Sequence, residues 1–427
     1  MDALSRRTLL AAGAATAATA AAGCGSRYGT VKPGLVKSGA VNAPVPVPVP
    51  SEASASASPS AVPAKPPAVL IGDGSTSDTG PQPNQPQAVP LELGQKPPQF
   101  VVFSWDGAGE LDNQLFSRFR QLAKDYNGGM TFFLSGIYTL PESKKDLYRP
   151  PRHKVGASDI GYLSDQHIQD TLTQIGAAWL DGHEIGTHFN GHFCGSNGVG
   201  KWSPEEWNSE IDQAISFVTN WKTNTGLTDL PALPFDYHKE LIGSRTPCLE
   251  GQRGLLPTAV AREWKYDSSG PGGLQVWPQK IQGGALWDMP LQSIPFPGHS
   301  FQVLSMDYNI MYNQSGDNTK GDPAKRSAWQ TQARDSYLAG FDRVYNGNRA
   351  PMIIGNHFEE WNGGIYMNAV EEVLKTVAEK PEVRLVSFRQ LIQWLEVQDP
   401  AVLRKLQSLA PGQAPAEGWS SFLGSGR

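Results

Sequence analysis

From Ser26 to about Pro98 the chain is built almost wholly from Pro, Ala, Ser, Val and Gly, including the run Ala43 to Pro50 and the Ser/Ala alternation after Ser51. Such a stretch carries too little apolar side chain to offset the entropy of ordering it, so no core can form there. Residues 25–98 therefore read as a disordered linker, and whatever folds must come from the remainder. As a flexible coil the linker would span roughly 45 Å on average, and more where proline holds it extended.

The segment before the linker reads as an address. Ser5-Arg6-Arg7-Thr8-Leu9-Leu10 is a twin-arginine pattern, followed by an Ala-rich run to Ala22 that is too short and too weakly apolar to be a membrane span. Ala21-Ala22-Gly23-Cys24 resembles a bacterial lipobox, with Ala where Leu is usual at the third residue before the cysteine. Residues 1–24 are thus an expected export signal. The mature protein would be a lipoprotein anchored on the outer face of the membrane through lipidated Cys24; cleavage nearby would instead give a secreted protein.

Three cysteines exclude a disulfide-dense miniature fold, and with Cys24 assigned to lipid only Cys194 and Cys248 remain. An exported compartment permits a disulfide between them, and two buried thiols are the competing state. The net charge of -5 and the lack of Lys/Arg blocks argue against nucleic acid and favour a neutral partner.

Residues 99–399 alternate short apolar runs with amphipathic stretches. Phe100 to Ser104, Met130 to Leu134, a run ending at Ile185, Ile242 to Arg245, Met352 to Ile354 and Arg384 to Val386 read as strands. Helices are expected over Asn113 to Tyr126, Ser164 to Leu180 with Ser164 as N-cap, Ser203 to about Trp221, Leu255 to Trp264, Met367 to Glu379 and Arg389 to Val397. This alternation over about 300 residues indicates parallel βα units in one barrel, with two smaller α/β domains as the competing arrangement. In such a barrel Asp106, His188, Arg245 and His357 would all fall at strand C-terminal ends. Gly270 to Gly298 and Asn313 to Lys325 read as surface excursions walling the cleft, and 400–427 as a tail.

Within this body Gly182 to His192 places His188 and His192 four residues apart, a spacing that lets two neutral imidazoles reach one metal ion. By spacing alone, a hydrogen-bonded loop pair is as good an account. His183 sits on the strand before them and is expected to brace the loop.

Several ordered segments resemble the polysaccharide deacetylases of carbohydrate esterase family four, especially their chitin-deacetylase-like branch. They are Val101 to Ala108, Met130-Thr131-Phe132-Phe133, the His188/His192 stretch, Gly243-Ser244-Arg245-Thr246-Pro247, Trp264 to Ser269, Leu286 to Pro290, Asn348-Arg349-Ala350-Pro351 leading to His357, and Pro381 to Trp394. The resemblance implies a distorted (β/α) barrel and metal-dependent removal of N-acetyl groups from an amino-sugar polymer, peptidoglycan or a chitin-like glycan. It also implies that His188 and His192 bind a divalent metal, zinc by preference, and that His357 protonates the leaving amine. Arg245 and Asp267 match the pair that orients and tunes the catalytic Asp.

The chain departs from the pattern at the first motif. Where the family reads Thr-Phe-Asp-Asp, with the first Asp as base and the second as metal ligand, this chain reads Ser104-Trp105-Asp106-Gly107. Asp106 then matches the base, and Gly107 stands where the metal-binding carboxylate belongs. The other register makes Asp106 the ligand and puts Trp105 in place of the base. Two compensations are open: Asp106 could turn onto the metal, or Glu110 could supply the third oxygen. The alternative function is a catalytically impaired, carbohydrate-binding lipoprotein with the same barrel. Of the indoles Trp202, Trp207, Trp264, Trp277, Trp287 and Trp361, most are expected in the core. Trp361 is the one expected to stack on a sugar, and Trp105 is expected to pack beneath the site.

Overall fold

The computed structural model describes residues 68–424; the twin-arginine segment, Cys24 and the linker up to residue 67 lie outside the described residues. Its thirteen strands are β1 (Val69–Ile71), β2 (Thr76–Asp78), β3 (Gln99–Asp106), β4 (Thr131–Leu134), β5 (Glu184–Thr187), β6 (Gly243–Ser244), β7 (Tyr266–Asp267), β8 (Gln279–Ile281), β9 (Leu286–Asp288), β10 (Ser293–Pro295), β11 (Gln302–Leu304), β12 (Met352–His357) and β13 (Val383–Leu385). Nine of them form one curled sheet in the order β12-β3-β4-β5-β6-β7-β9-β8, with β13 also on β3. All its pairings are parallel except β8 with β9.

The most connected strand is β3, Gln-Phe-Val-Val-Phe-Ser-Trp-Asp, which pairs with β4, β12 and β13 and is buried at every position. A strand covered on both faces reads as a continuous apolar run, as this one does. The register then decides what meets at its end: Val101 pairs with Met352 and Asp106 with His357, so the last residues of β3 and β12 finish side by side. Beneath that end Trp105 is fully buried, stacked on Phe358 at 4.6 Å and tilted against Phe119 at 4.3 Å.

The barrel is distorted because its ring is not completed by regular strands. The antiparallel hairpin of β10 and β11 lies against β12 instead, through a backbone bridge from Met306 to Gly355. The Gln292 side chain adds bonds to the Pro351 carbonyl at 2.8 Å and from the Ile353 amide at 3.2 Å.

Helix ends follow local chemistry. Asp165–Asp181 starts at Ser164, whose hydroxyl accepts from the His167 amide at 3.2 Å, and ends at left-handed Gly182. Pro204–Thr219 has proline in its first turn and a reciprocal capping box between Ser203 and Glu206.

At the N-terminal end of the sheet a second polar cluster is buried. Glu184 accepts from Thr131 Oγ1 at 2.9 Å, Tyr266 Oη at 3.0 Å and the Arg389 amide at 2.8 Å, the last at the start of helix Phe388–Glu396. Arg389 also pairs with Glu240 at 2.7 Å, and Glu240 accepts from Trp179 Nε1 at 2.9 Å.

Three expectations need correction. The disordered linker does not extend to residue 98, because 69–98 is docked on the body. Ser77 N donates to the Leu233 carbonyl and Leu233 N to that of Ser75, each at 2.9 Å, while the Gln82, Asn84 and Gln85 amides bond to carbonyls at the end of helix Asp165–Asp181. Main-chain and amide hydrogen bonds do this work, and a composition read for apolar burial does not reveal them. The tail, over its described residues 400–424, is not a bare extension: helices Pro400–Gln407 and Gly418–Gly424 bury Leu406 and Leu423. Finally, Gly270 to Gly298 contributes β8, β9 and β10, and the stretch to Lys325 is flanked by helices Asp307–Ser315 and Arg326–Tyr345. The longer helix escapes a periodicity argument because its buried face includes Ala333, Ser336 and Gly340 beside only three large side chains.

Candidate active site

Parallel strands ending together gather residues from distant parts of the chain. Asp106 closes β3, His357 closes β12, His188 follows β5 and Arg245 follows β6. Arg245 is wholly buried and reaches across the barrel end: its Nη1 donates to Asp106 Oδ1 at 2.8 Å and to Ser104 Oγ at 2.9 Å. Its Nη2 donates to Ser268 Oγ at 2.8 Å, its Nε to the Ser268 carbonyl at 3.3 Å, and its guanidinium covers the Phe133 ring at 4.9 Å. A buried ion pair is tolerable only when its remaining hydrogen-bonding groups are met, and here the donors are spread over four acceptors. Burial pushes the Asp106 carboxyl up, but Arg245, His188 and His357 together pull it below the usual carboxylate value. Asp106 is thus an anion with Oδ1 fixed.

His188 Nδ1 lies 2.7 Å from the Arg245 carbonyl. A carbonyl only accepts, so Nδ1 carries the proton and Nε2 is left as a bare lone pair. That Nε2 is buried and has no protein partner. The His192 ring lies 5.1 Å from that of His188, centroid to centroid. Burial lowers both imidazoles; His192, lowered further by the neighbouring His188 and His357 rings, is held down to about 3, so it is neutral. The loop between them is shaped by left-handed Phe189 and His192, with φ of 62° and 57°. It is gripped from below: Asn190 N donates to Glu210 Oε1 at 3.1 Å, Gly191 N to Tyr148 Oη at 3.0 Å, and Tyr148 Oη to Glu210 Oε1 at 2.9 Å. Burial pushes the Glu210 carboxyl up to about 7.

Two neutral imidazoles, one with an orphaned and buried acceptor nitrogen held by a carbonyl on its far side, fit a divalent cation. The third donor does not come with them. Glu110 is turned away and accepts from the Ser117 amide at 2.7 Å, at the start of helix Leu115–Asp125. Among the described residues the trio of His, Cys or carboxylate groups that does converge is His192, Cys194 and Cys248, and its two sulfurs are joined in a disulfide with Cα atoms 6.1 Å apart. Gly107 has φ of 64°, and the nearest atoms a Cβ there would meet are Tyr138 Oη at 3.7 Å and Ser135 Oγ and Tyr138 Cε2 at 3.8 Å, ordinary contacts.

His357 is held by a residue that sequence reasoning missed. Asp307, buried at the start of helix Asp307–Ser315, accepts from the His357 backbone amide at 2.7 Å and sits 2.8 Å from its Nδ1. Burial alone would lower this imidazole, but Asp307, aided by Asp106 and Glu359, holds it up at about 9. Asp307 lies outside every matched motif and fifty positions from its partner, so only the bridge between Met306 and Gly355 brings it in.

Asp267 is placed differently from the expectation. Its carboxylate is met by Ser269, from Oγ at 2.6 Å and from the amide at 3.1 Å, and Arg245 takes Ser268 instead. Burial pushes Asp267 up to about 6, outweighing the pull of Arg245 nearby. His183 stands at the far end of β5, its Nδ1 accepting from the Met130 amide at 3.2 Å. Of the six indoles considered, Trp202, Trp207, Trp264, Trp277 and Trp287 are buried, whereas Trp361 is only half-buried, 5.2 Å from the His357 ring.

No family model matches the sequence, and no curated protein matches it. Solved structures do. A candidate polysaccharide deacetylase from Mycobacterium smegmatis matches at 14% identity over 73% of this chain and 95% of that one, with a TM-score of 0.41. A candidate polysaccharide deacetylase from Pseudomonas aeruginosa PAO1 matches at 12% identity over 70% and 92%, TM-score 0.42. The peptidoglycan deacetylase PdaC from Bacillus subtilis matches at 10% identity over 70% and 92%, TM-score 0.35. The solved chains that this protein is similar to thus include polysaccharide and peptidoglycan deacetylases.

Proposed function

We propose that this protein hydrolyses the acetamide of N-acetylated sugar residues in an envelope polymer, peptidoglycan or a chitin-like glycan, releasing acetate and a free amine. The observation that carries this reading is the pairing of Asp106 with His357 across β3 and β12, an anion beside a cationic imidazole, with the bare Nε2 of His188 in the same cluster. A divalent cation held by His188 and His192, zinc by preference, would polarise the amide carbonyl and acidify a water. Asp106, with Oδ1 tied to Arg245, takes the proton of the attacking water on Oδ2. The water oxygen bonds to the acetyl carbon, the C–N bond breaks, and His357 Nε2 gives its proton to the departing nitrogen while Asp307 holds Nδ1. Such proton transfer is typically worth about a hundred- to ten-thousand-fold in rate.

Gly107 favours a second reading, an impaired binder of the same glycans, because two imidazoles alone hold zinc weakly. Zinc per chain and acetate release from acetylated chito-oligosaccharides separate the two: zinc bound and acetate released support the hydrolase, and neither leaves the binder. Gly107→Asp sharpens the test. Asp is among the residues that tolerate a left-handed backbone, and the space accepts it, so this variant raises zinc occupancy if the missing carboxylate is what limits it. Export and lipid attachment at Cys24 belong to the same proposal, tested by incorporation of labelled lipid into the protein and its absence from Cys24→Ala.

A further inference from the structure

Beside His357 the surface carries three aromatic side chains that the chemistry above does not use. Helix Asp307–Ser315 begins at the carboxylate that grips His357 and presents Tyr308 and Tyr312, one turn apart and 37% and 41% exposed. The Trp361 ring lies 5.2 Å from His357 and meets Tyr308 edge-on at 5.8 Å, and Tyr308 is followed by Tyr312 at 6.4 Å. The three rings form a row leading away from the reacting position. Among the described residues the exposed large aromatics are Phe301, Tyr308 and Tyr312, and the two tyrosines continue from Trp361 as a contiguous row, which marks a place where something else covers them.

The row is built into the fold. Trp361 is followed by three successive left-handed residues, Asn362, Gly363 and Gly364, with φ of 54°, 81° and 76°. A non-glycine residue in that conformation costs about 1–3 kcal/mol and persists only where its surroundings dictate it. Here Asn362 is fully buried: its amide N donates to the Thr319 carbonyl at 2.7 Å, its Oδ1 accepts from Gly321 N at 2.7 Å, and its Nδ2 donates to Tyr366 Oη at 3.1 Å. At the other end, the two bonds from His357 to Asp307 fix the tyrosine helix to the same imidazole. The row therefore keeps a constant register with the acid of the reaction.

We propose that Trp361, Tyr308 and Tyr312 form a stacking platform for the sugar rings flanking the reacting residue, so that the protein selects a polymer over a single sugar. A pyranose presents C–H groups on its ring face and hydroxyls around its edge. An aromatic row open to water on one side matches that division, with the sugar face on the rings and the hydroxyls in solvent. The placement of the reacting sugar beside His357 rests on the deacetylase reading.

Equilibrium binding, measured without turnover, tests the platform. N-acetylated chito-oligosaccharides of increasing length are titrated by calorimetry into the wild type, the Tyr308→Ala/Tyr312→Ala pair, and the Tyr308→Phe/Tyr312→Phe pair, with thermal melts showing that each is folded. Affinity of the wild type rises with length, the alanine pair loses about tenfold on the longest oligomer, and the phenylalanine pair keeps the gain because it keeps the rings. A wild-type affinity independent of length, or an alanine pair that binds the longest oligomer as tightly as the wild type, overturns the platform. Absence of acetate in a parallel assay bears on the deacetylase reading alone.

Discussion

The two ends of the curled sheet both bury charge, and they treat it differently. At the N-terminal end Glu184 accepts from Thr131, Tyr266 and Arg389, and its neighbour Glu240 is met by Arg389 and Trp179, so both oxygens of each carboxylate are used. At the C-terminal end Arg245 is equally well met, but the cluster it anchors is left incomplete. His188 Nε2 has no partner, and Asp106 gives only Oδ1 to Arg245. At the N-terminal end Arg389 Nε is left over, but no carboxylate oxygen is; acceptors met on every side hold the fold, whereas a bare acceptor supported from behind is an arrangement waiting for a third party. Burial alone does not tell them apart, but the accounting of lone pairs does.

The sharpest way to break this contrast is at the open end. His357→Ala lowers acetate release by about a hundred- to ten-thousand-fold, and because it also strands the buried Asp307 carboxylate it lowers the urea midpoint as well. Should stability fall with activity intact, the two ends are not different in kind. Next, Arg245→Met strands the Asp106 carboxylate and costs about 3–5 kcal/mol of unfolding free energy, read from urea melts. Glu184→Gln, at the closed end, costs about 1–3 kcal/mol in the same melts and leaves the pH profile of acetate release where it was.

The smallest effect is a displacement on the pH axis. His357 stands at about 9, above its ordinary value, because Asp307 outweighs burial. The stabilisation linked to that shift is fully present below about 6.5 and is lost as pH rises through about 9. Asp307→Asn therefore moves the alkaline limb of acetate release to lower pH, and its stability deficit against the wild type is largest at neutral pH and fades above 9. An unmoved limb would show that Asp307 only positions the ring.

Much of the closed scaffold could be read in advance because it is written in local chemistry. The apolar run of β3, the Ser164 cap and the Ser203-Pro204-Glu205-Glu206 start each follow from a few adjacent residues. The open site was legible as a set of residue types, and the structure brings Asp106, His188, His192, Arg245 and His357 together. What was not legible depends on the fold. Asp307 meets His357 only after a hairpin has folded back on β12, and the bonds of Ser268 to Arg245 and of Ser269 to Asp267 depend on how β6 and β7 end together. The docking of 69–98 was hidden for a related reason: polar side chains seeking carbonyls leave no periodic trace.

The joined sulfurs of Cys194 and Cys248 lie just past His192 and just past Arg245, on two straps that otherwise meet only through non-covalent contacts. Tying them removes slack from a 54-residue excursion of the chain, worth roughly 4 kcal/mol by chain-entropy reasoning. A thiol-rich milieu would cut that knot and free both straps, so the spacing of the imidazoles becomes a property of where the molecule finds itself.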